Sequence, residues 1–404
     1  MRPPVPSDFS SPPSGRQLRA WDEADRAARP ARQGRLRARL AAAGLDAYVG
    51  LRREEIRYLT GIALGEGEEK VAGHSGRFLV SADELVVLAD SRYTIQAHRE
   101  APDARVVDVT YDLPAAWPSI VASLGARRVA VPAGDLPHAL WEALRVAAPD
   151  VELVPAPAWI DEDRAVKEEA EIERIAAAAA VADRALAALL PEIRPGVTEA
   201  ALAWRLEVLM REGGAESLAF DVAALAGSQA ALPHGSPGQR RVRAGRVLLF
   251  DFGAQVAGYR SDMTRTLFVG APTERDLAIY DLVARAQQAS ISMIEQAVAS
   301  GGAIPSGRAV DAAARAVIEA AGHGAHFGHG TGHGIGLATH EQPSLSRAAG
   351  EGPLPSPTVF SVEPGVYLAG RTGVRIEDLV LFDVARGRVE CLTRFPREPL
   401  VLPA

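Results

Sequence analysis

Leu248-Leu249-Phe250-Asp251-Phe252-Gly253, followed closely by Gly258-Tyr259-Arg260-Ser261-Asp262-Met263-Thr264-Arg265-Thr266, sets two acids inside otherwise apolar, strand-like runs. A fold-back near Val256 and Ala257 predicts an antiparallel hairpin in which Asp251 faces Asp262. Opposed side chains on such a ladder lie with Cβ atoms roughly 5 Å apart. Two carboxylates held there repel each other unless a cation or a shared proton sits between them. Gly258 leaves room for a longer loop or a bulge, which would displace this register.

The construction returns downstream. In Ser361-Val362-Glu363-Pro364-Gly365-Val366-Tyr367 and Gly373-Val374-Arg375-Ile376-Glu377-Asp378, a turn centred on Gly370 sets Glu363 against Glu377. One buried acid is readily explained by an ion pair with an arginine such as Arg265 or Arg375. Four are not, because uncompensated buried charge is costly. Between the pairs runs His329-Gly330-Thr331-Gly332-His333-Gly334-Ile335-Gly336-Leu337-Ala338-Thr339-His340-Glu341. Its glycines exclude a stable helix and imply backbone that turns sharply or packs closely. Imidazole with carboxylates suits manganese, cobalt, zinc or iron, and four acids with a histidine suffice for two cations sharing carboxylates. His234, in the turn-rich loop Pro233-His234-Gly235, gains its weight from this company. His329 is a candidate for supporting the site from behind, and His326 is left open. His74, His98, His138 and His323 stand alone and read as ordinary surface or core residues.

Around this centre the chain has the material for two domains, with 404 residues of which 48% are hydrophobic and 24% charged. Residues 1–15 carry five prolines and no apolar core, and read as a disordered leader rather than a secretory signal. Residues 16–160 alternate short apolar runs with helical stretches, which predicts an α/β N-terminal domain. The arginines between Arg16 and Arg39 read as a solvated helix face. Residues 161–404 are expected to form the second domain, which carries the paired acids and the glycine-rich histidine run named above. It begins with a helix over 167–190, followed by one capped by Thr198, with further helices over 273–299 and 306–321. Helices and hairpins come there in blocks, so the class is α+β. A net charge of −7 argues against a nucleic-acid partner. The most apolar stretch, Ile175 to Leu190, contains Asp183 and Arg184 and is too short and too charged for a membrane span. The single cysteine, Cys391, excludes an intrachain disulfide and a cysteine zinc cage, and fits a reducing cytoplasm.

At these positions the chain resembles the M24 metallopeptidase family, the pita-bread or creatinase/aminopeptidase fold. Its ordered ligands are Asp, Asp, His, Glu, Glu, matched by Asp251, Asp262, His333, Glu363 and Glu377. Within the family the likeness is to Xaa-Pro dipeptidases (prolidases) and Xaa-Pro aminopeptidases, which also carry an N-terminal α/β domain. The resemblance implies two divalent metal ions, manganese or cobalt before zinc or iron. Asp251 would chelate one ion, Asp262 and Glu377 would bridge both, and His333 with Glu363 would complete the other. It further implies a hydroxide, shared by the ions, attacking the bond before proline in a small peptide, with Glu363 moving the proton. His234 and His340 would bond the substrate carbonyl, Arg375 would position the site, and Asp251 with its ion would receive the substrate's ammonium. Thr339 departs from the family's usual Ile or Val. A homodimer is expected.

Dipeptidase activity is the first reading, with an arginine among Arg52, Arg53 and Arg57 as the receptor for the dipeptide carboxylate. Xaa-Pro aminopeptidase action on longer peptides is the alternative. The complete ligand set argues against a metal-free creatinase-like amidinohydrolase and against a non-catalytic binding protein, and the large N-terminal domain argues against a methionine aminopeptidase.

Overall fold

The computed structural model describes residues 11–64, 75–109 and 112–404. Residues 1–10 of the leader, and His74, lie outside them. The described chain divides into two compact units, Arg19–Asp163 and a second made of Arg164–Ala404 with the residues before Arg19.

The first unit is built on a mixed sheet of β1 (Ala47–Gly50), β2 (Arg77–Ser81), β3 (Leu85–Ala89), β4 (Arg105–Asp108), β5 (Arg128–Pro132) and β6 (Glu152–Ala156), in the order β4-β3-β2-β1-β5-β6. The β1–β2 and β2–β3 pairs are antiparallel, and the outer pairs are parallel. Helices Leu113–Ser123 and His138–Ala147 cover the sheet, where Trp117, Ile120 and Leu144 bury against Val49, Leu79 and Val129. The solvated reading of the first helix, Gly15–Ala43, fails at Arg32. That side chain is buried and is held by Asp25 at 2.8 Å and by Tyr58 O at 2.9 Å. Arg52 is committed within this unit to Glu55, Asp161 and Asp135, at 2.7, 2.7 and 3.2 Å.

The second unit has short strands β7 (Ser217–Leu218), β8 (Ala223–Ala226), β9 (Arg246–Phe252), β10 (Ala254–Val256), β11 (Tyr259–Arg260), β12 (Met263–Val269), β13 (Gly332–Gly334), β14 (Glu341–Leu345), β15 (Thr358–Val362), β16 (Gly365–Leu368), β17 (Thr372–Arg375), β18 (Asp378–Asp383), β19 (Arg388–Cys391) and β20 (Val401–Leu402). Two larger sheets, β20-β12-β9-β8 and β14-β13-β15-β18-β19, are joined by helices Glu169–Leu189, Glu199–Glu212, Glu274–Ser300 and Gly307–Ala320. This is the blockwise α+β arrangement that the sequence predicts. Thr198, Thr273 and Ser306 each accept a backbone N–H at the start of a helix, which explains where those helices begin. The helix Glu274–Ser300 contributes Ile279, Tyr280, Val283 and Ala286 to one apolar core, and Ile291 and Ile294 to a second beneath β15 and β18. Among the described residues no helix is long and apolar enough to cross a membrane.

The first hairpin corrects the expected register. Asp251 pairs with Thr264, and Met263 with Phe252, a displacement of two residues from the predicted partners. The turn is Ala257-Gly258, both at positive φ, with Val256 paired to Tyr259 across it. This two-residue connection matches strand twist and moves the fold-back one position along the chain. Side chains alternate with a period of two, so the displacement keeps Asp251 and Asp262 on one face, as diagonal rather than direct neighbours.

The second pair has the expected alignment but not a continuous ladder. Val362 pairs with Asp378, and Gly365 with Arg375 around Gly370, while Glu363 and Glu377 lie between those two ladders. Pro364 has no N–H to give a ladder, and both chains pass here from one sheet to another. The two glutamates stand where the strands part.

Candidate metal centre

Asp251 and Asp262 come from the first hairpin, Glu363 and Glu377 from the parting of the second, and His333 from β13. Together with His234, His329, His340 and Arg375 they line one cavity of about 410 Å³. The glycine-rich run reaches it as close-packed backbone. A Cβ on Gly332 would lie 1.9 Å from Ser361 O, and one on Gly334 would lie 2.0 Å from Gln342 O. Only glycine lets β13 slide between its neighbours and aim His333 inward. His98, His138, His323 and His326 do not line the cavity, and His323 and His326 face each other at 3.3 Å.

His333 Nδ1 lies 3.1 Å from Gly334 O, so Nδ1–H donates to that carbonyl and Nε2 is left toward the acids. Nε2 is 3.2 Å from Glu363 Oε1 and 3.7 Å from Asp262 Oδ2. Ligand-capable atoms of Asp262, His333 and Glu377 all lie within 4.8 Å of one another. Asp262 and Glu377 are 4% and 1% exposed. Burial first, and then the neighbouring carboxylates, push both well above the ordinary acid range. Burial likewise raises Asp251 against the opposing pull of Arg375. Burial would depress His333, but its hydrogen bond to Glu363 and the charges of Glu363 and Glu377 raise it to about 9. The same contacts, with Arg375, overcome burial at Glu363 and hold it below its usual value.

Two oxygens test whether a cation belongs here. Asp262 Oδ1 and Glu377 Oε1 are buried and have no hydrogen-bond partner among the described residues. A buried acceptor without a donor is costly, and acids raised by mutual repulsion are the groups a divalent cation neutralises. The donor set of carboxylates and one imidazole suits a first-row metal.

Behind the acids stand residues that the sequence reading did not single out. Thr264 donates to Glu377 Oε2 at 2.7 Å and accepts from Arg375 Nε at 2.8 Å. Ser361 donates to Glu363 Oε1 at 3.0 Å and accepts from His333 N at 3.1 Å. Tyr367 OH receives Arg375 Nη1 at 3.0 Å and lies 2.8 Å from His329 Nε2. Arg375 Nη2 ion-pairs with Asp251. The contacts His329–Tyr367–Arg375–Asp251 connect His329 to the acids. The sequence signal for Thr264 and Ser361 was only a hydroxyl set two residues from an acid, and Tyr367 had no such signal.

The remaining histidine, His340, has its ring centroid 4.3 Å from that of His333. Burial, then the charge of His333, lowers its affinity for a proton. Its neighbours are tied down on both sides. Thr339 Oγ1 donates to Ala219 O and accepts from Arg260 Nη1, each at 3.0 Å. Glu341 is ion-paired with Arg164, and with Lys167 at 2.7 Å, all with side chains 3% exposed or less.

Residues 173–383 match the model of metallopeptidase family M24, and residues 32–166 match the creatinase/prolidase N-terminal domain. An uncharacterized peptidase of Bacillus subtilis is 32% identical over 359 residues, 89% of this chain and 96% of the relative. A solved Xaa-Pro dipeptidase from Bacillus anthracis has a TM-score of 0.82 at 32% identity, covering 92% of this chain and 99% of its own. An X-Pro aminopeptidase from Thermotoga maritima has a TM-score of 0.76 at 33% identity, covering 89% and 98%.

Proposed function

The chain belongs to metallopeptidase family M24, and from that premise we propose that it hydrolyses the peptide bond preceding proline, acting as an Xaa-Pro dipeptidase. The observation that carries the reading is the pair of buried oxygens on Asp262 and Glu377 that have no donor among the described residues, beside His333 Nε2. Asp251, Asp262, His333, Glu363 and Glu377 would hold two divalent cations, manganese or cobalt, and such ions supply an activated water and polarise the scissile carbonyl. Glu363, kept ionised by its neighbours, accepts a proton and delivers it toward the leaving proline nitrogen. His340 is neutral near pH 7, because burial lowers it, and donates one N–H to the carbonyl oxygen as charge develops there. His234, across the same cavity, offers a second donor. Arg375 holds Asp251 and Tyr367 and so sets the direction of that carboxylate. Asp251 takes the substrate's ammonium, which restricts attack to the first bond.

A dipeptide suits a cavity of about 410 Å³. Cytoplasmic location fits the lone cysteine, and the proposed assembly is a homodimer, the commonest closed symmetry. The aminopeptidase alternative is kept because the Thermotoga maritima enzyme matches the dipeptidase in sequence identity, 33% against 32%. The deciding experiment compares Ala-Pro with Ala-Pro-Ala under manganese and under cobalt, with metal content measured on the purified protein. Faster release of proline from the dipeptide is expected. Preference for the tripeptide selects the alternative, and absence of both activities with no bound metal overturns the proposal.

A further inference from the structure

A second concavity on the catalytic unit, about 740 Å³, shares no lining residue with the first. Arg240, Arg241, Arg243, Arg246, Arg275 and Arg371 line it, and all six are exposed. Arg241 donates to Gly196 O at 2.6 Å. The other five guanidinium groups have no hydrogen-bond or ion-pair partner among the described residues. Elsewhere in the same unit, exposed arginines such as Arg211, Arg308 and Arg347 each hold a carboxylate within 2.9 Å. Acids outnumber basic residues in the chain as a whole. The lack of partners here is therefore a property of the place rather than of composition.

Two acids also reach the lining, Glu274 and Asp276. Asp276 is spent on the start of the helix Glu274–Ser300, where Thr273 Oγ1 donates to its carboxylate at 2.8 Å. Gathering like charges around a hollow costs electrostatic energy that a bound anion returns. Guanidinium presents two parallel N–H groups in the geometry that phosphate oxygens accept. The lining has no aromatic side chain on which a nucleobase strand would stack, and the chain's net negative charge repels long polyanions. An acidic peptide spaces its charges at roughly 3.3–3.6 Å per residue on alternating sides, too sparsely to meet five arginines in this volume.

We propose that this concavity is an oligophosphate site, taking a small ligand with two or more linked phosphates. The test is calorimetric titration of the full-length, metal-loaded protein at low salt with sodium tripolyphosphate, ADP and an octaglutamate peptide. The comparison protein is the double variant Arg243→Ser, Arg371→Ser, whose exposed side chains leave the fold and the peptidase centre intact. Saturable binding of tripolyphosphate is expected, weakened about tenfold or more in the variant. Comparable binding of ADP assigns the phosphates to a nucleotide, and tripolyphosphate binding alone assigns them to a short free oligophosphate. A phosphate signal that is equal in the variant comes from elsewhere, the metal centre included, and overturns the proposal. So does binding of the glutamate peptide without binding of either phosphate compound.

Discussion

Glu341→Gln removes one negative charge from a buried cluster and leaves the shape almost unchanged. Arg164 and Lys167, with side chains 2% and 0% exposed, then face an amide instead of a carboxylate exposed to 3%. Breaking a buried ion pair by neutralising one partner costs about 3–5 kcal/mol, and the retained amide oxygen places this case near 3 kcal/mol. In a unit of this size that lowers the melting temperature by about 6–12 °C. The pH dependence has a definite sign. Burial raises the Glu341 carboxyl, but Arg164 and Lys167 outweigh it and hold it below its ordinary value. Its contribution is therefore full above the unfolded-state value of about 4.3 and is lost as pH falls through the lower folded value. Thermal melts of both proteins, followed by circular dichroism from pH 7 to pH 3, should show a gap that is widest at pH 7 and closes in acid. Activity should fall with it, because Glu341 anchors the chain immediately after His340. A gap under about 2 °C at pH 7, or one that stays constant into acid, refutes the reasoning.

Asp262→Asn should lower turnover by about a thousandfold, while in chelator the variant should melt above the wild type because it loses a repelling carboxylate beside Glu377. In chelator the wild type should also gain stability as pH falls from 8 to 5, since Asp262 and Glu377 are both raised; melts across that range check the sign. Thr339→Val keeps the branched shape but deletes the hydroxyl between Ala219 O and Arg260, and should cost about 1–2 kcal/mol in denaturant titration with a severalfold loss of kcat/KM.

The local chemistry of the site was legible in the sequence because acids inside apolar strands and histidines among glycines need no partner to look unusual. Asp251, Asp262, Glu363 and Glu377 are named by that criterion, His333 is picked out from the histidines of the glycine-rich run by the family resemblance, and the structure brings all five around one cavity. Helix starts at Thr198, Thr273 and Ser306 were legible in the same way, since a cap is a contact over a few residues. The ladder between β9 and β12 was not, because its register turns on whether Val256-Ala257 or Ala257-Gly258 makes the corner, and the pattern of side chains fits both. Nor did the pattern of the second hairpin reveal that Glu363 and Glu377 stand where strands change sheets.

Sequence by itself determined which side chains carry charge into the core and the two-residue period that keeps the acids on one face. Tertiary structure alone decided their partners: the bond from Thr264 to Glu377, the clasp of Arg375 on Asp251, the anchoring of Glu341 by Arg164 and Lys167, and the gathering of six arginines around a second hollow. Periodicity is a property of neighbours along the chain. Pairing across 100 residues or more, as from Thr264 to Glu377, depends on how separate elements pack and leaves no local trace.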